Sequence, residues 1–499
     1  MPPAPGADPR GSELRDDLAV AVAACLPLIL FALIERRLAG FAGFPLDDSW
    51  IHLHFARNIA EGAGFSYNPG VPVAGSTAPL WTLLLALGVF AFGSSLAVVK
   101  AIGITTSLAA TIMVRRAARA WDAGRLGALG AAIGFAWTGA MAWGALSGME
   151  VTLAALLVAV SLLAHARGRD LWTAIGAAAA ALARPEAIIL VPLLAIARPL
   201  TVRRVLRFGG ITLALLAPVV AFSLATVGSP VPATASAKIE GGLLGWLSGV
   251  REPSGVTWVS RPAAFVGGWV VWLWTTDWLL PFALGAALVL VWRRPGRALA
   301  VPALALVVHP LAMALFAPFR DPGFQEGRYS IHLLPIAFVV LAVVLGKRLT
   351  RPRLALVALY LALAIVALFP AATRYGWAVQ NINAMQVHLG RWVDVHVPRG
   401  EVIALNDIGA IAYVSRREVI DLVGLVSPEV LPYRRAGDEG ILRYLGKRCP
   451  GHVIVFPAWY PRMTARADLL EPVYRVRLDH NTVAGADEMV VYRLIRCGL

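Results

Sequence analysis

The sequence predicts an α-helical polytopic membrane protein of about eleven transmembrane helices with a small C-terminal α/β domain. Three observations predict it. Hydrophobic residues make up 58% of the 499 and charged residues only 15%, with a mean hydropathy of +0.69, so there is too little polar surface to coat a soluble globule of this size. The apolar residues gather in stretches of roughly 18 to 25, the length that crosses a hydrocarbon core about 30 Å thick. After about residue 371 the chain turns polar and alternates strand-like with helix-like runs.

The first apolar stretch, residues 18–34, lacks a small-residue cleavage site and reads as a retained anchor, leaving 1–17 as a cytoplasmic tail. Further spans are expected at 95–114, 126–144, 150–165, 171–183, 187–198, 207–227, 264–291, 298–318, 329–346 and 353–370. The two short ones flanking Arg184-Pro185-Glu186 form a helical hairpin or one kinked helix. The net charge of +15 is carried by arginines in short loops, which sets orientation and gives no reason to expect a nucleic-acid partner.

Residues 79–92 are also apolar, but counting them as a span would put Arg115, Arg116, Arg119 and Arg125 outside. Positive charge holds a loop on the cytoplasmic side, so this segment is expected to lie in the interface. The basic loops 115–125, 165–169, 198–207, 292–297 and 347–353 then all fall inside, and Arg36 and Arg37 snorkel. Four regions face outward: the first loop 37–94, 228–262, 319–328 and everything after 371. The chain thus divides into the tail 1–17, a transmembrane domain 18–370 and an extracytoplasmic domain 371–499.

That last domain carries the strand-like runs EVIALN, REVIDLVG, HVIVFPAW, VYRVRL and EMVVYRLI, with DEGILRYLGKR helical between them. Three cysteines show no metal-type spacing. In an oxidising space Cys449 and Cys497 are a disulfide candidate, the alternative being two unpaired core cysteines.

The first loop holds the adjacent carboxylates Asp47 and Asp48 at the head of a short amphipathic helix with Trp50, Ile51, Phe55 and Ile59 on its apolar face. One Asp there is a helix cap. Two exceed that need, because their charges repel and one pKa must shift; a carboxylate at a membrane surface can take a hydroxyl proton while its neighbour holds a metal ion or orients the base. His52 and His54 point ~200° apart on a helix, so one is a candidate ligand contact and the other packs in the interface. Lys100, in the outer half of its span, needs an anion, and a donor phosphate is one. Glu150, Arg184 and Glu186 sit at outward helix ends as cavity or pairing residues, and Asn406 and Asp407 follow a strand as a ligand-contacting loop or a helix cap. The tryptophans of WVVWLWTTDW read as an interfacial belt.

The run DDSWIHLHFARNIAEGAGFSYNPG, then GSTAPLW, SGME, LARPE, GRYSIHLLP and NDIGAIAYVS, resembles the landmarks of the GT-C superfamily of membrane glycosyltransferases, most nearly the bacterial branch that includes arabinofuranosyltransferases of cell walls. The resemblance covers nearly the whole chain in order. It implies a GT-C-like fold and transfer of a sugar from a polyprenyl-phosphate donor to an acceptor hydroxyl of a cell-envelope glycan, lipid or protein, on the extracytoplasmic face of a bacterial inner membrane, with inversion. Asp47 becomes the candidate general base and Asp48 its acidic neighbour, or the reverse. Arg328 and Tyr329 become donor-phosphate ligands, since a guanidinium binds phosphate oxygens in pairs, with His332 of the same segment as a further cavity residue. A divalent metal ion, with Asp47 and Asp48 as its candidate ligands, is compatible with this chemistry without being required. No P-loop or dinucleotide fingerprint is present, as expected of a reaction that uses no nucleotide. The alternatives are a secondary transporter or flippase of lipid-linked or polar solutes, whose ionisable residues would cluster at the midplane, and a non-catalytic envelope assembly protein.

Overall fold

A computed structural model describes residues 9–238, 241–247, 249, 253–293, 297–316 and 323–497. Among them, six helices are long and apolar enough to cross a bilayer: Gly11–Ala39, Leu96–Ala120, Val202–Val227, Arg297–Phe316, Gln325–Leu345 and the long run Arg351–His396. Two bent pairs and the shorter apolar helices Val151–Ala166, Asp170–Ala183 and Pro185–Ile196 account for the other expected spans. The chain is a multi-pass membrane protein.

Three details differ from the sequence expectation. The segment expected as one span at 264–291 is two helices, bent by 113° where Asp277 ends the first. Asp277 accepts the Leu279 N–H at 2.8 Å and the Tyr360 hydroxyl proton, and hydropathy does not register such a break. The first helix starts at Pro9, inside the expected tail. The helix Arg351–Ile382 runs through residue 370 and continues by a π turn at Asn383–Val387 into His388–His396, because loss of hydropathy marks the membrane exit and leaves the helical hydrogen bonding intact.

At one end of the bundle, residues 13–17 meet the loop 115–125. Buried Arg115 lies 2.5 Å from Asp17 and 2.8 Å from Glu13, and Arg125 lies 2.7 Å from Asp16. The starts of the first helix and the end of Leu96–Ala120 therefore share a side, which allows an even number of crossings between them. Pro79–Phe92 packs against Asp47–Ala60 and Leu96–Ala120.

At the other end sits a five-stranded mixed sheet of order β2-β1-β3-β5-β4, with β1 Ile403–Leu405, β2 Val419–Asp421, β3 His452–Val455, β4 Leu470–Arg477 and β5 Glu488–Leu494. β1 pairs in parallel with β2 and β3, while β5 pairs antiparallel with β3 and β4. The three parallel strands are buried almost throughout because both faces are covered. Ile441, Leu442, Tyr444 and Leu445 of the helix Gly437–Arg448 cover one face. The first loop covers the other: Ile51, Phe55, Tyr67 and Val73 share a core with Leu405, Ile408, Ile454, Phe456 and Val491. Asn68 extends the β2 edge, its side chain giving to the Val419 carbonyl at 2.8 Å and accepting the Val419 N–H at 2.9 Å. A disulfide joins Cys449, just past Gly437–Arg448, to Cys497 beyond β5.

Candidate active site

The helix Asp47–Ala60 begins after Leu46, whose side chain caps nothing, and neither aspartate caps this helix. The pair splits. Asp47 turns toward the sheet domain: its Oδ2 accepts the Gly409 N–H at 2.6 Å and its Oδ1 the Ala410 N–H at 2.8 Å, closing the start of the helix Gly409–Ser415. Gly409 is required by this approach, since a Cβ there would overlap the Asp47 carbonyl. Burial and the Asp407 carboxylate push the Asp47 pKa up, against the two amides that lower it.

Asp48 turns the other way, into a cavity of about 590 Å³. Its Oδ2 lies 2.8 Å from Arg328 Nη2 and 3.4 Å from Lys238 Nζ. Burial opposes its ionisation, but these two cations prevail and hold the carboxyl well below the usual carboxylate range. One helical turn on, His52 lines the same cavity, as an i, i+4 neighbour must.

The cavity has two characters. Its polar end gathers Asp48, His52, Glu150, Arg184, Glu186, Lys238, His309, Arg328 and Tyr329, brought from six separate segments of the chain. Its remaining walls are largely apolar, including Ile188, Ile189, Pro192, Val231, Leu244, Met313, Phe316 and Leu425. Arg184 is paired within the wall with Glu150 and, at 3.1 Å, with Glu186, its guanidinium stands 4.6 Å over the Tyr329 ring, and its Nε alone has no acceptor among the described residues. His52 Nε2 lies 3.4 Å from Glu150 Oε2, and its Nδ1 lies 3.3 Å from Thr82 Oγ1.

Arg328 is different. It is 3% exposed; its Nη2 serves Asp48 and, at 3.2 Å, the Tyr329 hydroxyl, while Nε and Nη1 have no acceptor among the described residues. A buried charged donor without a partner is costly, so these groups are held for something the cavity receives. The chain reaches Arg328 through Gln325, Glu326 and Gly327, all at positive φ (53°, 59° and 72°), a strained turn of the kind found at functional sites.

Several expected site residues lie elsewhere. Lys100 is not in the cavity: its anion is Glu35 of the first helix at 2.5 Å, and the same Glu35 oxygen takes the Gly43 N–H at 2.9 Å. Glu35, 65 positions away in sequence, is the anion the structure places beside it. His54 faces the sheet side, bonding the Tyr67 carbonyl at 2.9 Å and stacking on the Tyr67 ring. His332 is buried behind the wall, its ring 5.1 Å from that of His309. Asn406 accepts the Phe456 N–H at 3.3 Å, and Asp407 takes the Gln386 amide at 2.8 Å. Neither lines the cavity. Burial raises the Asp407 pKa to about 6.

Residues missed from sequence include Lys238 and His309. Lys238 sits in an outward loop, where the positive-inside rule makes a cation worth noting, and His309 interrupts an apolar span; both signals were legible. Among the described residues no three His, Cys, Asp or Glu side chains stand where they could share a metal ion. Asp47, with both oxygens on amides, is not placed to join Asp48 as a ligand.

Residues 379–492 match a family described as a domain of unknown function, DUF8728. In sequence the chain matches none of the curated proteins. Solved structures resemble it over almost its whole length. ArnT from Cupriavidus metallidurans, bound to undecaprenyl phosphate, aligns over 95% of this chain and 97% of its own at 12% identity and a TM-score of 0.55. The oligosaccharyltransferase of Archaeoglobus fulgidus, tethered to an acceptor peptide, aligns over 93% of this chain and 74% of its own at 12% identity and a TM-score of 0.55. The arabinofuranosyltransferase AftD from Mycobacteria aligns over 95% of this chain and 41% of its own at 15% identity and a TM-score of 0.44. The landmarks quoted from the sequence and these two alignments agree on the fold: this chain is built like ArnT and the archaeal oligosaccharyltransferase.

Proposed function

We propose that the chain transfers a sugar from a polyprenyl-phosphate donor to an acceptor hydroxyl of an envelope glycan, lipid or protein, outside the cytoplasm of a bacterial cell. The observation that carries this reading is the meeting, in one cavity with largely apolar walls, of Asp48 with Arg328 and its unsatisfied N–H groups. Apolar walls accept a polyprenyl chain, and a buried guanidinium with Lys238 beside it accepts the phosphate. The undecaprenyl phosphate bound by ArnT is a ligand of this class.

In this scheme the acceptor oxygen attacks the anomeric carbon as the bond from that carbon to the phosphate oxygen breaks. The bonding pair leaves with the polyprenyl phosphate, whose charge Arg328 and Lys238 stabilise, and the acceptor proton passes to Asp48. A single displacement inverts the anomeric centre. A positioned base contributes typically 10²–10⁴-fold, and one lost donor to the developing charge costs about 10²–10³-fold. Asp48 is the base in this reading, and Asp47 fastens the loop that carries it to the sheet domain. The Cys449–Cys497 disulfide supports an oxidising, extracytoplasmic side for that domain.

The test is transfer of a labelled sugar from a polyprenyl-phosphate donor by the purified protein in nanodiscs. Loss of transfer in folded Asp48→Asn and Arg328→Gln is expected. Wild-type rates in both would overturn the proposal.

A further inference from the structure

A lipid phosphate and Asp48 need the same part of Arg328. A guanidinium grips an anion in pairs of parallel N–H groups, either across its end, Nη1 with Nη2, or along its side, Nε with Nη2. Both forks include Nη2. That nitrogen lies 2.8 Å from Asp48 Oδ2, while Nε and Nη1, the other halves of the two forks, are buried without acceptors. Lys238 is directed at the same carboxylate oxygen, 3.4 Å away. One oxygen therefore engages both cations that a phosphate would use.

We infer that the donor phosphate takes Arg328 Nη2 from Asp48, so that Asp48 is released to act as base only when donor is bound. This rests on the reading of the cavity as a polyprenyl-phosphate site. Among the described residues the groups that face Asp48 include Arg328, Lys238 from the helix Ala233–Lys238, His52 from its own helix, and the carboxylates of Asp47 and Asp407. Before the exchange two cations bind the carboxylate and weaken it as a proton acceptor. After it, the donor's phosphodiester anion shares their charge and the two nearby carboxylates favour proton uptake. The carboxylate displaced by phosphate becomes competent beside the sugar that phosphate carries. The order of binding follows: donor first, then deprotonation of the acceptor.

The exchange makes a prediction opposite in sign to that of a simple binding residue. Asp48 competes with phosphate for Arg328, so removing its charge strengthens lipid-phosphate binding even as it abolishes transfer. Undecaprenyl phosphate, without sugar, is titrated into the full-length protein in nanodiscs and binding is read by intrinsic tryptophan fluorescence. Asp48→Asn and Asp48→Ala should each bind about fivefold or more tightly than wild type, Arg328→Gln about tenfold or more weakly, and adding Asp48→Asn to Arg328→Gln should gain less than Asp48→Asn gains in the wild type. Unchanged or weaker binding by the Asp48 variants overturns the exchange. Wild-type affinity in Arg328→Gln overturns the phosphate site itself. Inorganic phosphate at the same concentration should not displace the lipid, since the apolar walls hold the chain, and displacement would overturn the lipid assignment. On the wild-type protein, where no variant can misfold, isotope-edited infrared difference spectra should show an aspartate carboxylate band shifting on lipid-phosphate addition. No shift overturns the exchange.

Discussion

Asp47→Ala isolates the anchoring role of the first aspartate. The substitution removes the side chain that closes the start of Gly409–Ser415 and leaves the buried amides of Gly409 and Ala410 without their acceptors at 2.6 and 2.8 Å. Hydrogen bonds to a charged group are worth about 1.5–3 kcal/mol each, which gives an upper bound of about 3–6 kcal/mol. Burial of the carboxyl and its repulsion by Asp407 offset part of this, leaving a net destabilisation of about 2–4 kcal/mol. Asp47→Asn should lie between, since its amide can accept one of the two bonds and presents its NH2 group to the other donor. Urea unfolding in mild detergent, followed by tryptophan fluorescence, reads the loss. Transfer per folded molecule should fall far less than in Asp48→Asn, because Asp47 does not reach the cavity. Wild-type stability together with a thousandfold loss of transfer would refute the reasoning and make Asp47 the base.

Further predictions concern groups away from the cavity. Lys100→Met should destabilise by about 3–5 kcal/mol by stranding Glu35, Lys100→Met with Glu35→Gln should recover most of that, and neither should change the KM for the lipid donor. A raised KM in the double variant would return Lys100 to the phosphate site. Asp407 has a folded-state pKa near 6, above its unfolded value, so the folded state binds the extra proton and stability declines as pH rises from about 4 through 6. The loss is about 3 kcal/mol at neutral pH, and Asp407→Asn should flatten the curve over that range; parallel curves would contradict it. The Cys449–Cys497 bridge closes a separation of 48 residues, so Cys449→Ser should cost about 2–4 kcal/mol, and the pair should resist thiol labelling in unreduced cells. Ready labelling without reductant would place the sheet domain in a reducing space.

The elements of this fold were legible because they are written locally. Runs of apolar residues mark the helices, the strand-like stretches after residue 371 became β1 to β5, and DEGILRYLGKR became the helix Gly437–Arg448. The bend at Asp277 was not legible, since a broken apolar segment has the same hydropathy as a straight one. The same limit governs the site. Asp48 and Arg328 stood out through the landmarks that carry the GT-C resemblance, but which of two adjacent aspartates faces the cavity depends on Gly409 and Ala410, more than 360 positions away. Lys100 shows the cost of that distance: its need for an anion was correctly read, and Glu35 met it from a helix that looked like an anchor. Lys238 was worth noting as a cation in an outward loop, but that its partner is Asp48, 3.4 Å away, is written only in the fold.

The most direct test is single-turnover transfer by the purified protein in nanodiscs, loaded with a radiolabelled polyprenyl-phosphate sugar, comparing Asp48→Asn with Asp47→Asn at equal folded fraction. Asp48→Asn should retain lipid-phosphate binding and lose transfer by about 10²–10⁴-fold, with Asp47→Asn within about tenfold of wild type. Full transfer by Asp48→Asn would contradict the assignment of Asp48 as the base.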